Sequence, residues 1–81
     1  MRVRYSKRFI KSLENAPLSV QQAFNKQVRL LLDNLRHPSL QAKKYDKVND
    51  IWQARVTRDW RFYFAIDGDT YRLHDIIPHP K

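Results

Sequence analysis

The hydrophobic period of this chain changes partway along, and that change restricts its fold more than any other feature. From Val20 onward the apolar residues Phe24, Val28, Leu31, Leu32 and Leu35 recur at three- and four-residue intervals, the stripe of a long amphipathic helix. From Ile51 the period becomes two. Trp52, Ala54 and Val56 alternate with Gln53, Arg55 and Thr57, and Trp60, Phe62, Phe64 and Ile66 alternate with Arg61 and Tyr63. Helices followed by consecutive strands predict an α+β domain in which the helices cover one face of a mainly antiparallel sheet.

The flanking segments complete the layout. Arg2-Val3-Arg4-Tyr5 alternates as a short first strand. Ser6 can cap a helix carrying Phe9, Ile10 and Leu13, which Asn15-Ala16-Pro17 ends. Ser19 is the expected N-cap of the long helix and His37-Pro38 its expected stop. The polar run from Ser39 to Asn49, with Lys43, Lys44 and Lys47, is expected to be a loop. Asp67-Gly68 holds the only glycine and marks a hairpin turn into a last strand from Thr70 to Ile77. There Tyr71 and Leu73 oppose Arg72 and His74, but Asp75 falls at a core parity and Ile76-Ile77 breaks the alternation. Residues 1–81 are thus expected to form one compact domain: an N-terminal strand, a helical hairpin and a three-stranded antiparallel meander.

Composition then narrows the chemistry. An 81-residue domain buries only roughly 60% of the surface its unfolded chain exposes, so its core is thin. The absence of cysteine removes thiolate nucleophiles, disulfides and cysteine-held zinc, and suits a cytoplasmic protein. No segment has the pattern of a signal peptide or the length of a membrane span. One glycine cannot build a phosphate-cradling loop, three scattered histidines lack metal-ligand spacing, and no cofactor is called for. The single glutamate, Glu14, lies on the first helix, away from the sheet's open face.

The net charge of +8 is unevenly placed: residues 1–49 carry 11 basic and 3 acidic groups, and residues 50–81 carry 5 of each. On the meander, Arg55, Arg61 and Arg72 are expected to share one patch of the open face, where like charges repel unless an anion binds. Guanidinium groups hold phosphate oxygens bidentately and stabilise charge growing on a phosphorane. A solvated sheet face accounts for the same residues without a ligand. His79, just after the last strand, can move a proton near neutral pH. His74 has a similar claim by strand parity, and His37 suits a helix C-terminus. Trp52, Phe62 and Phe64 point into the core, whereas Tyr63 and Tyr45 are freer to meet a ligand. Phosphodiester cleavage by this chain would rest on arginine, lysine and histidine.

In order and at these spacings, the residues resemble the RelE/ParE superfamily of small toxins from type II toxin–antitoxin pairs. The resemblance covers nearly the whole chain. It rests on Ser6-Lys7-Arg8-Phe9, on the helical hairpin ending in His37-Pro38, on Lys43-Lys44, on Ile51-Trp52-Gln53-Ala54-Arg55-Val56, on the run from Trp60 to Asp69, and on Ile76-Ile77-Pro78-His79. It implies a microbial-ribonuclease-like fold and, for the RelE-like branch, a ribosome-dependent mRNA endoribonuclease in which the ribose 2′-OH attacks the adjacent phosphate without a metal. By position, Arg61 matches the transition-state arginine, Arg55 a basic group on the preceding strand, and His79 a catalytic basic residue, with Lys81 as a helper. Gln53 stands where some RelE members carry a lysine, and the segment that often supplies a terminal aromatic is expected to be missing after Lys81.

The resemblance also implies an antitoxin encoded by a neighbouring gene, and the ribosome and its mRNA as targets. The basic surplus, with Lys7, Arg8, Lys11, Lys43, Lys44, Lys47, Arg72 and Tyr63, is expected to bind RNA and the ribosome. The ParE-like branch shares the scaffold and implies inhibition of DNA gyrase instead, and a degenerate member would only bind.

Overall fold

A computed structural model describes residues 1–79. The elements are β1 (Arg2–Tyr5), α1 (Lys7–Glu14), α2 (Leu18–Asp33), a 3₁₀ turn (Pro38–Leu40), β2 (Lys43–Asp46), β3 (Ile51–Thr57), β4 (Trp60–Asp67) and β5 (Thr70–Pro78). They form the expected α+β layout of strand, helical hairpin and antiparallel strands, with the five strands ordered β1-β5-β4-β3-β2. Among the described residues only the β1–β5 pair is parallel.

Ser6 caps α1 as expected, its Oγ accepting from the N–H of Phe9 at 3.0 Å. The second helix departs from expectation at both ends. It begins at Leu18 after Pro17, whose carbonyl accepts from Val20 and Gln21, and no side chain caps it. It stops at Asp33, before His37-Pro38. Asn34 is extended there, and its Oδ1 accepts from the Arg36 N–H at 2.9 Å, a local bond that competes with the helical ladder. His37 is therefore no helix C-terminal residue. It opens the 3₁₀ turn, with its Nδ1 accepting from the Ser39 N–H at 3.1 Å.

The expected loop contains a fourth antiparallel strand, β2, paired to β3 through Lys43↔Gln53 and Lys44↔Trp52. Its residues Lys-Lys-Tyr-Asp show no alternation because neither face is buried, and lysines on a short edge strand discourage pairing with other chains. The broken parity of the last strand also has a physical cause. Tyr63 pairs with Asp75 while Phe64 pairs with Leu73, so His74 is the extra residue of a β-bulge. The bulge returns Ile76 to the core opposite Phe62.

The core lies between the helices and the sheet. Phe9 and Phe24 pack at 5.0 Å, Phe24 meets Phe62 edge-on at 5.4 Å, and Leu31, Leu40, Phe64, Leu73 and Ile76 are fully buried around them. Trp52 and Trp60 pack against this cluster. Gln27 interrupts the apolar stripe of α2 and is itself buried. Its Nε2 donates to the carbonyls of Arg55 (2.8 Å) and Ser39 (3.2 Å), fastening the free edge of β3 beyond β2 to the helical layer.

Candidate functional site

β3 and β4 place Arg55 and Arg61 directly opposite each other, two guanidinium-bearing residues in one cross-strand pair. Such a pair repels and is destabilising in itself. Arg61 is fixed by the turn that joins its strand to β3. Its Nη1 donates to the carbonyls of Thr57 (2.6 Å), Trp60 (2.9 Å) and Arg58 (3.2 Å). One nitrogen thus anchors the group, and the rest of the guanidinium fork has no partner among the described residues. His79 is tied to the same turn, its N–H donating to the Asp59 carbonyl at 2.6 Å.

Arg61, His79, Lys43, Gln53 and Gln41 line one cleft of about 140 Å³. No carboxylate among the described residues lines it, and of its cations Arg61 is the one held by hydrogen bonds. Gln41 also lines a second cleft of about 290 Å³, where Arg55 meets Lys26, Gln27 and Ser39. Gln41 adopts a left-handed conformation with φ +46° as the C-cap of the 3₁₀ turn, its N–H donating to the Pro38 carbonyl at 3.2 Å. The arrangement can bind a phosphate oxyanion at Arg61 and present an imidazole beside it.

The other expected residues are scattered. Arg72 is not in the patch with Arg55 and Arg61. It pairs with Ala65 and with Arg4, five residues along β5 from Ile77, the partner of Arg61, a distance of about 17 Å at strand rise. Tyr63 is 9% exposed rather than free: its hydroxyl accepts from Gln53 Nε2 at 3.0 Å, and the exposed Tyr45 ring covers it edge-on at 4.9 Å. Lys44 forms an ion pair with Asp50 and lies 5.0 Å above the Trp52 ring. Lys47 is exposed in the β2–β3 turn, and Lys7, Arg8 and Lys11 are exposed on α1. Lys81 lies outside the described residues.

Two residues of this region were not anticipated from the sequence. Gln27 left a readable signal, a polar side chain at an apolar position of the α2 stripe. Gln41 left none, because its place between the two clefts depends on backbone conformation.

The fold is that of the RelE/ParE/YoeB toxins. The chain superposes on the YoeB/ParE toxin from Agrobacterium tumefaciens with a TM-score of 0.80 at 12% identity, covering 99% of this chain and 100% of that one. It is similar to a chain of the RelB–RelE antitoxin–toxin complex from Methanococcus jannaschii (TM-score 0.76, 17% identity, 91% of this chain and 87% of that one). It is also similar to YafQ from E. coli strain BL21(DE3) (TM-score 0.78, 19% identity, 96% and 93%). No protein-family model and no curated protein sequence matches the chain.

Proposed function

We propose that this chain is the toxin of a type II toxin–antitoxin pair and acts as an mRNA endoribonuclease on the translating ribosome. The observation that carries the reading is the cleft where Arg61, Lys43 and His79 meet, with Arg61 anchored by three backbone carbonyls. In this reaction the ribose 2′-OH attacks the adjacent phosphorus, the bond to the 5′-oxygen breaks, and a 2′,3′-cyclic phosphate and a 5′-hydroxyl result. The free part of the Arg61 fork meets the equatorial oxygens of the phosphorane, and the Arg55 charge on the neighbouring strand adds to the field. The His79 imidazole takes the 2′-OH proton or returns one to the leaving oxygen. Lys81 is assigned as a helper of His79. A neutralising antitoxin from a neighbouring gene covers cationic surface in the resting cell.

Mapping of mRNA ends by primer extension on a translated message, together with a gyrase supercoiling assay on the same preparation, tests the reading. New cleavage ends that vanish with Arg61→Ala or His79→Ala are expected. Cleavage that persists in both variants overturns the site, and inhibition of supercoiling without RNA cleavage identifies a ParE-like inhibitor instead. Co-expression of the adjacent small gene is expected to restore growth and to co-purify its product.

A further inference from the structure

At the sheet edge opposite β2, the parallel pair β1–β5 sets Arg4 beside Arg72 in register. Like charges in this relation destabilise the pairing. Among the described residues, the one carboxylate in ion-pair range of either is the exposed Asp67, 3.6 Å from Arg72 Nε, and Arg4 has none. The two arginines flank a cavity of about 210 Å³ whose wall also includes Tyr5, Ser6 and His74. No acidic residue among the described ones lines it. His74 supplies the one buried side-chain polar atom without a hydrogen-bond partner among the described residues, its Nε2. Native proteins leave few such atoms unpaired. Ser6 also marks the start of α1, whose positive end has no acidic residue in its first turn.

The geometry points to an oxyanion site in this cavity, with a phosphate group held between the guanidiniums of Arg4 and Arg72. Phosphate fits better than carboxylate because one guanidinium fork already satisfies both carboxylate oxygens, whereas phosphate offers further oxygens to a second fork. The site is separate from the Arg61 cleft by the strand distance given above and does not depend on cleavage. Its phosphate is either a monoester or a backbone diester of single-stranded RNA.

Titration of the isotope-labelled protein with inorganic phosphate, at ionic strength held constant with chloride, tests this by amide chemical shifts. Saturable shifts at Arg4–Ser6 and Arg72–His74 are expected. They should weaken at least tenfold in the Arg4→Gln, Arg72→Gln double variant and persist in Arg61→Ala. Tighter binding of a trinucleotide with hydroxyl ends than of adenosine 5′-monophosphate assigns the site to the RNA backbone, and the reverse order assigns it to a monoester. Shifts that rise without saturation, or that survive in the double variant, overturn the site. Tighter binding of a phosphate-free acidic peptide overturns the ligand class. Should the double variant lose its dispersed spectrum, Arg4→Lys replaces it: the charge stays and the planar fork goes, so weaker phosphate binding is expected and unchanged binding overturns the assignment.

Discussion

The backbone N–H of His79 donates to the carbonyl of Asp59 at 2.6 Å, so the end of β5 is held by the turn between β3 and β4. Arg61 is gripped by the same turn through Thr57, Arg58 and Trp60. The two groups proposed to act on one phosphate therefore take their positions from four consecutive backbone carbonyls, Thr57 to Trp60. Backbone anchors fix geometry without a further side chain whose rotamer must also be held.

Replacing Arg61 by lysine keeps a charge but loses both the fork and the three-carbonyl anchor. Under the proposed reaction, Arg61→Lys is expected to lower the single-turnover cleavage rate by about 10²–10³, the usual effect of removing one transition-state donor. The loss should appear in the rate at saturating ribosomes rather than in the concentration needed to saturate.

His79 separates side-chain from backbone effects. His79→Gln keeps the N–H to Asp59 and removes the proton carrier, so a rate loss of about 10²–10⁴ is expected with the thermal midpoint unchanged. His79→Pro also deletes the donor, and should lower the midpoint and disturb the amide resonances of Arg58 and Asp59. Equal spectra for the two variants would show that the bond to Asp59 does not hold the turn.

Gln27→Leu removes a buried donor shared by Arg55 and Ser39. Ser39 is exposed and water can replace the lost donor there, so the cost falls on the Arg55 carbonyl, roughly 1–3 kcal/mol, and each kcal/mol shifts the midpoint by about 4–8 °C in a domain of this size. Calorimetry should show a fall in that range, accompanied by faster amide exchange along the β3 edge.

How far the sequence could disclose this arrangement depended on burial. The helix stripe from Val20 and the alternation of β3 and β4 were legible because each element buries one face, which forces a period on the residues. β2 was not legible because Lys43, Lys44 and Tyr45 are all exposed, so nothing orders their polarity. The Asp67-Gly68 turn was legible because Gly68 has φ +59°, which favours glycine. The bulge at His74 left only a broken parity, and whether such a break means a bulge or a strand end is settled by the partner strand. For the candidate site, the Arg55–Arg61 pairing followed from one hairpin. The distance of Arg72 from them followed from register, which parity alone does not supply.

Lys7, Arg8 and Lys11 lie on α1, outside the cleft. Under the proposed function, their combined replacement by glutamine is expected to weaken ribosome binding and flatten its dependence on salt, the effect of removing cations that meet phosphates. Cleavage at saturating ribosome concentration should survive, and its abolition would place α1 within the reacting assembly.

Burial holds the Tyr71 phenol above its ordinary value of 10.0. The unfolded chain therefore ionises first, and the folded state favours the protonated phenol. Its contribution is complete below pH 10 and is lost as pH rises through the folded-state value. Thermal midpoints measured above pH 10 should fall less steeply in Tyr71→Phe, which keeps the edge-on contact with Phe64.

Among the described residues β1 has no strand beside it except β5, and Arg2 pairs with Thr70 across almost the whole sequence. A nascent chain emerging from the ribosome thus carries an orphan first strand until residues 70–73 are available to receive it. The proposed cleft is assembled equally late, since His79 follows the same strand. Contacts this distant in sequence form slowly, which leaves an interval in which the polypeptide exists but the geometry of that cleft does not. Under the proposed function, that interval is time in which a neutralising antitoxin can arrive.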